Sequence, residues 1–141
     1  MKWPLAGLLA FAVLGAACSN NDTPTTPTTP TAPTSPSTET LKGAMAPGGT
    51  AIRTFTATQS GTVSVTFTGT EPASSIVLGL GIGIRAASGI DCQFTRTVNT
   101  PPGSTPQLTI AVDAGSYCAG VYDIGNVGTN GITVSVSITH P

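Results

Sequence analysis

Charged side chains are scarce in this chain. They account for 8% of its 141 residues, and aromatic side chains account for 5%. The five basic residues form no dense positive patch, which is what a protein needs to bind consecutive phosphates or anionic lipid headgroups. Nucleic-acid binding and attachment to a membrane through a basic surface are therefore not expected.

Histidine is scarcer still, since the sequence contains only His140. It is the penultimate residue, at a chain end where mobility is common, and a catalytic triad needs a histidine held between a nucleophile and a carboxylate. The acidic residues show no calcium-loop spacing, and Asp113 and Asp123 are interpreted as turn residues. We predict no enzyme, no cofactor and no metal site.

The N-terminus has the order of segments found in signal peptides. A positive charge at Lys2 is followed by an apolar run over residues 5–14 and by small residues just before Cys18. Because a membrane-spanning helix needs about 20 apolar residues, this run is too short to be a stable span. Residues 1–17 are predicted to be a cleaved leader.

The residues Leu14-Gly15-Ala16-Ala17-Cys18 resemble the bacterial lipobox. In that family the cysteine receives a diacylglyceryl group, which implies a membrane anchor at Cys18, and Ser19 after it implies sorting to the outer membrane of the cell envelope. Gly15 departs from the family, which prefers leucine at that place. Cleavage by ordinary signal peptidase, leaving an unmodified Cys18, is the alternative.

A Thr/Pro-rich segment follows the cysteine. Residues 18–40 contain almost no large apolar side chain, so they are predicted to be a disordered linker. Frequent proline favours extended polyproline II structure, and about 20 such residues span up to about 60 Å. A glycosylated stalk or a ligand for a proline-binding module is the alternative.

Short runs of alternating apolar and polar residues fill residues 41–141 and predict an all-β domain. About eight strands are expected, in an antiparallel, jelly-roll-like β-sandwich, with a barrel as the alternative. Residues 51–58 and 62–68 are predicted to form a hairpin, and residues 69–74 a loop. Glycines 79, 81 and 83 alternate with apolar residues, which indicates a strand that something approaches closely rather than a phosphate-binding loop.

Cys92 and Cys118 are the two cysteines left after the leader. An exported protein meets an oxidising environment, so we predict a disulfide between them. Closing that loop is expected to stabilise the domain by about 3 kcal/mol on the chain-entropy model.

The stretch from Asp113 to Asn126 resembles the C-terminal part of pre-peptidase C-terminal-like domains, which are β-sandwich modules of secreted bacterial proteins. The resemblance implies a sandwich fold and an extracellular setting, and it carries no activity.

The expected function is that of a non-catalytic cell-envelope lipoprotein whose sandwich binds an envelope protein or an extracellular partner. The alternative is a glycan or small-ligand binder that uses loops 69–74 and 125–131. Candidate ligand-binding residues are Tyr117, Tyr122, Asp123 and Asn126. The two tyrosines are five positions apart on one predicted strand, so they are expected on opposite faces, which argues against a shared sugar-stacking surface.

Overall fold

The computed structural model describes residues 34–89 and 91–141. Within those ranges the chain forms eight β-strands and no helix. The predicted leader, Cys18 and most of the predicted linker lie outside the described residues.

The eight strands form two antiparallel four-stranded sheets. Sheet A has the strand order β1-β8-β3-β6, and sheet B has the order β2-β7-β4-β5. The strands are β1 (Ser37–Met45), β2 (Thr50–Ala57), β3 (Gly61–Glu71), β4 (Leu78–Arg85), β5 (Cys92–Thr100), β6 (Leu108–Val112), β7 (Gly115–Tyr122) and β8 (Ile132–His140).

The pairing of the strands is that of a jelly roll. β1 pairs with β8, β2 with β7, β3 with β6 and β4 with β5, so the chain folds like a long hairpin wrapped over two sheets. The predicted all-β, jelly-roll-like sandwich is therefore confirmed.

The predicted hairpin between residues 51–58 and 62–68 is wrong. β2 pairs with β7 in sheet B, whereas β3 pairs with β6 and β8 in sheet A, so the turn at residues 58–60 carries the chain from one sheet to the other. Alternation along a strand marks its apolar face, but strands of opposing sheets both turn that face toward the core.

Two segment boundaries also differ from the sequence prediction. β1 begins at Ser37, so the sandwich includes the last residues of the segment predicted to be linker. β3 continues to Glu71, which pairs with Thr133 of β8, so the first residues of the predicted 69–74 loop are strand. Both extensions arise because the long central strand β8 offers backbone partners along its full length.

The core between the sheets is aliphatic. β8 alternates strictly, with Ile132, Val134, Val136 and Ile138 buried, and β3 contributes Val63, Val65 and Phe67. From sheet B, Leu78, Leu80 and Ile82 of β4 are fully buried. Each such side chain contributes about 1.5–3 kcal/mol by leaving water, so this layer is the main source of stability.

Candidate functional site

A groove of about 620 Å³ opens on the outer face of sheet B, the face turned away from the core. Its lining comes from β2, β5 and the end of β7, with β4 beneath. The lining residues are Thr50, Ile52, Asp91, Cys92, Phe94, Thr97, Tyr122 and Asp123.

The floor of the groove is a glycine strip covered by two aromatic rings. A Cβ atom added at Gly79 would lie less than 3.0 Å from three ring atoms of Tyr122, and one at Gly81 would lie equally close to the ring of Phe94. Each ring therefore lies directly over a bare stretch of β4 backbone. The ring centroids are 5.6 Å apart and the ring planes differ by 30°.

The two edge strands of sheet B bend over its outer face. A Cβ added at Gly120 of β7 would collide with the backbone of Ala51 and Ile52 in β2. On the other side, a Cβ at Gly83 of β4 would collide with the backbone carbonyl of Gln93 in β5. Glycine is required at both places because a neighbouring backbone occupies the side-chain position, and the result is a concave face.

The disulfide strengthens one wall of this groove. Cys92 of β5 and Cys118 of β7 are bonded, with their Cα atoms 5.8 Å apart, although β4 lies between those two strands in the sheet. The predicted disulfide is confirmed. A register shift between β4 and β5 at Ile82 and Gly83 lets β5 turn toward β7 at this point.

The polar groups of the groove are hydroxyls and carboxylates. Thr50 and Thr97 contribute hydroxyls, and Asp91 and Asp123 contribute carboxylates. No lysine, arginine or histidine is among the lining residues. The groove is therefore suited to neutral or cationic groups, and it is unfavourable for phosphates and carboxylates.

The Asp123 carboxylate is already engaged within the fold. Its Oδ2 accepts a hydrogen bond from the backbone N–H of Gly48 at 2.8 Å, and its Oδ1 accepts three more from the backbone N–H groups of Gly125, Asn126 and Val127. These N–H groups, that of Gly48 foremost, lower the pKa of Asp123 below its ordinary value. The predicted turn role of Asp123 is confirmed, because its side chain fixes the loop at the groove end.

Two other predicted ligand-binding residues do not line the groove. Asn126 donates its side-chain N–H to the backbone carbonyl of Val77 at 2.9 Å. Tyr117 packs against the core, near the ring of Phe55, and its hydroxyl donates to the carbonyl of Asp113 at 3.0 Å. This contact to a carbonyl four residues upstream resembles the tyrosine corner of Greek-key sandwiches.

The two tyrosines lie on opposite faces of β7, as their spacing predicts. Tyr122 shares the groove instead with Phe94, a residue that the sequence did not single out. The available signal was the glycine repeat of β4: glycines on one face of a strand leave room for aromatic rings from neighbouring strands, and Phe94 is the only aromatic residue in β5.

A second polar cluster lies at the edge where β1 and β2 meet. Arg53 Nε donates to Glu39 Oε2 at 2.6 Å, and His140 Nε2 lies 3.4 Å from Glu39 Oε1. The Arg53 hydrogen bond is the main cause of the lowered pKa of Glu39. The expectation of a mobile end at His140 is wrong: the residue pairs with Ser37, is 5% exposed and lies 4.9 Å from the ring of Phe55.

Metal-binding and membrane-spanning elements are absent from the described part of the chain. Residues 34–89 and 91–141 contain no cluster of three or more His, Cys, Asp or Glu residues that could hold a metal ion. They also contain no helix long and apolar enough to cross a membrane. Comparison with known proteins gives no match, either to a protein-family model or to a curated protein.

Proposed function

We propose that this protein is a non-catalytic cell-envelope lipoprotein. Cys18 anchors it in the outer membrane, and its β-sandwich serves as an interaction or accessory module for another envelope protein or an extracellular partner. Lipidation at Cys18, rather than a basic surface, supplies the membrane attachment.

The observation that carries this proposal is the disulfide between Cys92 and Cys118. Disulfides persist in exported proteins and are rare in the cytosol, so the bond supports export. It also accounts for two of the three cysteines of the chain and leaves Cys18 available for modification.

The spacing between Cys18 and the sandwich fits a displayed module. β1 begins at Ser37, and the intervening residues 19–36 are rich in threonine and proline. In polyproline II geometry that stretch reaches about 55 Å at about 3.1 Å per residue, enough to hold the sandwich clear of the lipid surface. The resemblance of residues 113–126 to pre-peptidase C-terminal-like domains supports the same extracellular setting.

Mass spectrometry of the mature N-terminus tests the anchor. Expression of the full chain in a bacterium with an outer membrane should give an N-terminal peptide that starts at diacylglyceryl-modified Cys18. A Cys18→Ser variant is the control and should lose both the lipid and the membrane fraction, while a Cys92→Ser/Cys118→Ser variant should keep them. An unmodified Cys18 at the mature N-terminus would refute the anchor.

Membrane fractionation tests the destination. The wild-type chain should separate with the outer membrane, and a Ser19→Asp variant should move to the inner membrane, because an aspartate after the cysteine is the retention residue that the lipobox resemblance implies. An unchanged distribution of the variant would contradict sorting by Ser19.

A further inference from the structure

The rings of Phe94 and Tyr122 form a platform rather than a buried pair. Their lower faces rest on the backbone of Gly81 and Gly79, and both side chains stay only partly buried, so their upper faces point into the groove. With 5.6 Å between centroids and 30° between planes, the two upper faces form one nearly continuous aromatic surface.

An exposed aromatic platform with hydroxyls and carboxylates at its rim matches the surface of a sugar ring. One face of a pyranose carries mainly C–H groups, which stack on aromatic faces, and its equatorial hydroxyls need hydrogen-bond partners at the periphery. Thr50, Thr97 and Asp91 line the same groove and provide such partners. We infer that the groove on the outer face of sheet B binds a neutral saccharide that stacks on Phe94 and Tyr122.

Charge excludes anionic ligands. The lining contains two aspartates and no basic residue, so a sugar phosphate or a sugar acid would be repelled.

Geometry disfavours a cationic ligand. Sites for quaternary ammonium groups surround the cation with several aromatic walls, whereas these two rings lie side by side on one floor. The Asp123 carboxylate, which would attract a cation, already accepts four backbone hydrogen bonds.

The size of the groove sets the size of the ligand. Its volume of about 620 Å³ lies within the range of small-molecule sites and suits one or two sugar rings. Because the groove is shallow and two rings supply most of the contact, we expect a Kd between about 10 µM and about 1 mM. This inference goes beyond the proposed function, because it depends only on the sandwich and not on the anchor at Cys18.

Saturation-transfer difference NMR with a panel of disaccharides tests the inference. The full chain is purified in a polyoxyethylene detergent, which carries no sugar headgroup, and is mixed in turn with millimolar cellobiose, chitobiose, maltose, xylobiose and mannobiose. Glucose 6-phosphate and choline serve as the anionic and cationic probes. We expect at least one disaccharide to receive saturation on the C–H protons of one ring face, and neither charged probe to do so.

Leucine variants test the role of the platform. Phe94→Leu and Tyr122→Leu keep an apolar side chain over the glycines but remove the flat ring, so each should weaken binding of the positive disaccharide by about 10-fold. Tyr117→Phe changes the other tyrosine of β7, which lies outside the groove, and should leave the affinity unchanged within about 2-fold.

Ring chemical shifts in the wild-type chain decide the matter if a leucine variant fails to fold. With isotope-labelled phenylalanine and tyrosine, the disaccharide should shift the ring signals of Phe94 and Tyr122 and leave those of Phe55 and Tyr117 in place. Binding of no disaccharide in the panel, undiminished binding by both folded leucine variants, preferential binding of choline, or shifts confined to Phe55 and Tyr117 would each overturn the inference. The rings would then serve only to cover the glycine strip.

Discussion

The two sheets of this sandwich treat their outer faces differently. In sheet A, the central strand β8 alternates between buried aliphatic residues and half-buried threonines and serines, so its outer face is hydroxylated and partly open to water. In sheet B, the central strand β4 is buried without interruption from Leu78 to Gly83. Both faces of β4 are therefore covered, one by the core and the other by rings and a neighbouring backbone.

The difference shows that glycine has two meanings in one fold. A Cβ atom added at Gly43 in β1 or at Gly69 in β3 would have no neighbouring atom within 4 Å, so the lack of a side chain there is incidental. The glycines on the outer face of β4 are occupied sites, and they create the concave surface on which Phe94 and Tyr122 lie. A face that alternation alone would assign to solvent is here a second packing layer.

Alanine at Gly83 should break sheet B. The new Cβ would collide with the Gln93 carbonyl, a backbone atom that cannot move aside, so the free energy of unfolding should fall by at least about 3 kcal/mol. The matched variant Gly43→Ala in sheet A meets no neighbour and should raise it by up to about 1 kcal/mol. Urea denaturation of both variants measures the contrast, and equal effects would contradict the distinction between the sheets.

Loss of the disulfide should be the next largest effect. A Cys92→Ser/Cys118→Ser variant opens a loop of 26 residues in sequence separation and should lose about 3 kcal/mol of stability on the chain-entropy model. Sheet A contains neither cysteine, so hydrogen exchange should increase most in β5 and β7. Increased exchange confined to β1 and β8 would show that the bond does not hold the wall of the groove.

Removal of the Tyr117 hydroxyl should have a moderate effect. Tyr117→Phe keeps the ring against Phe55 and deletes the hydrogen bond to the Asp113 carbonyl, so thermal or urea unfolding should show a loss of about 1 kcal/mol. Tyr122→Phe is the matched control at the groove, and it should cost less, since the described chain shows no hydrogen bond from the Tyr122 hydroxyl to a protein group. A larger loss for Tyr122→Phe would assign the structural hydroxyl to the wrong tyrosine.

Glu39 should give the smallest effect, visible as a pH dependence. The Arg53 hydrogen bond lowers the pKa of Glu39 below its ordinary value of 4.5, so its contribution is complete above that pH and is lost as the pH falls through the lower, folded-state pKa. Because Arg53 is half exposed, we expect less than about 1 kcal/mol. The stability difference between wild type and Glu39→Gln should shrink as the pH falls below about 4.5. A difference that stays constant from pH 7 to pH 3 would rule out the ion pair as its cause.

The fold was largely predictable because its strands follow simple periodicity. Alternation in β8 and in β4 marked the residues that form the core, and the restricted set of cysteines gave the disulfide. The partner of β2 was not predictable in the same way, since alternation is a local property and the turn at Gln59 and Ser60 carries the chain between sheets rather than reversing it within one.

The candidate site depended on contacts that no local pattern contains. Phe94 and Tyr122 lie on different strands, and the ring of each rests on a glycine of a third. Likewise, Glu39 and His140 come from opposite ends of the domain and meet only because β1 pairs with β8. Tyr122 could be proposed from its residue type alone, whereas Phe94 required the register of β5 on β4.

Proton chemical shifts of the glycines test the central feature, the aromatic layer over sheet B, most directly. A proton beneath the face of an aromatic ring is shielded by the ring current. The Hα signals of Gly79 and Gly81 should therefore lie far upfield of those of Gly43 and Gly69, and they should move back in Tyr122→Leu and Phe94→Leu respectively. Ordinary glycine shifts at both positions in the wild-type chain would show that the rings do not lie over β4, and the groove with its platform would have to be abandoned.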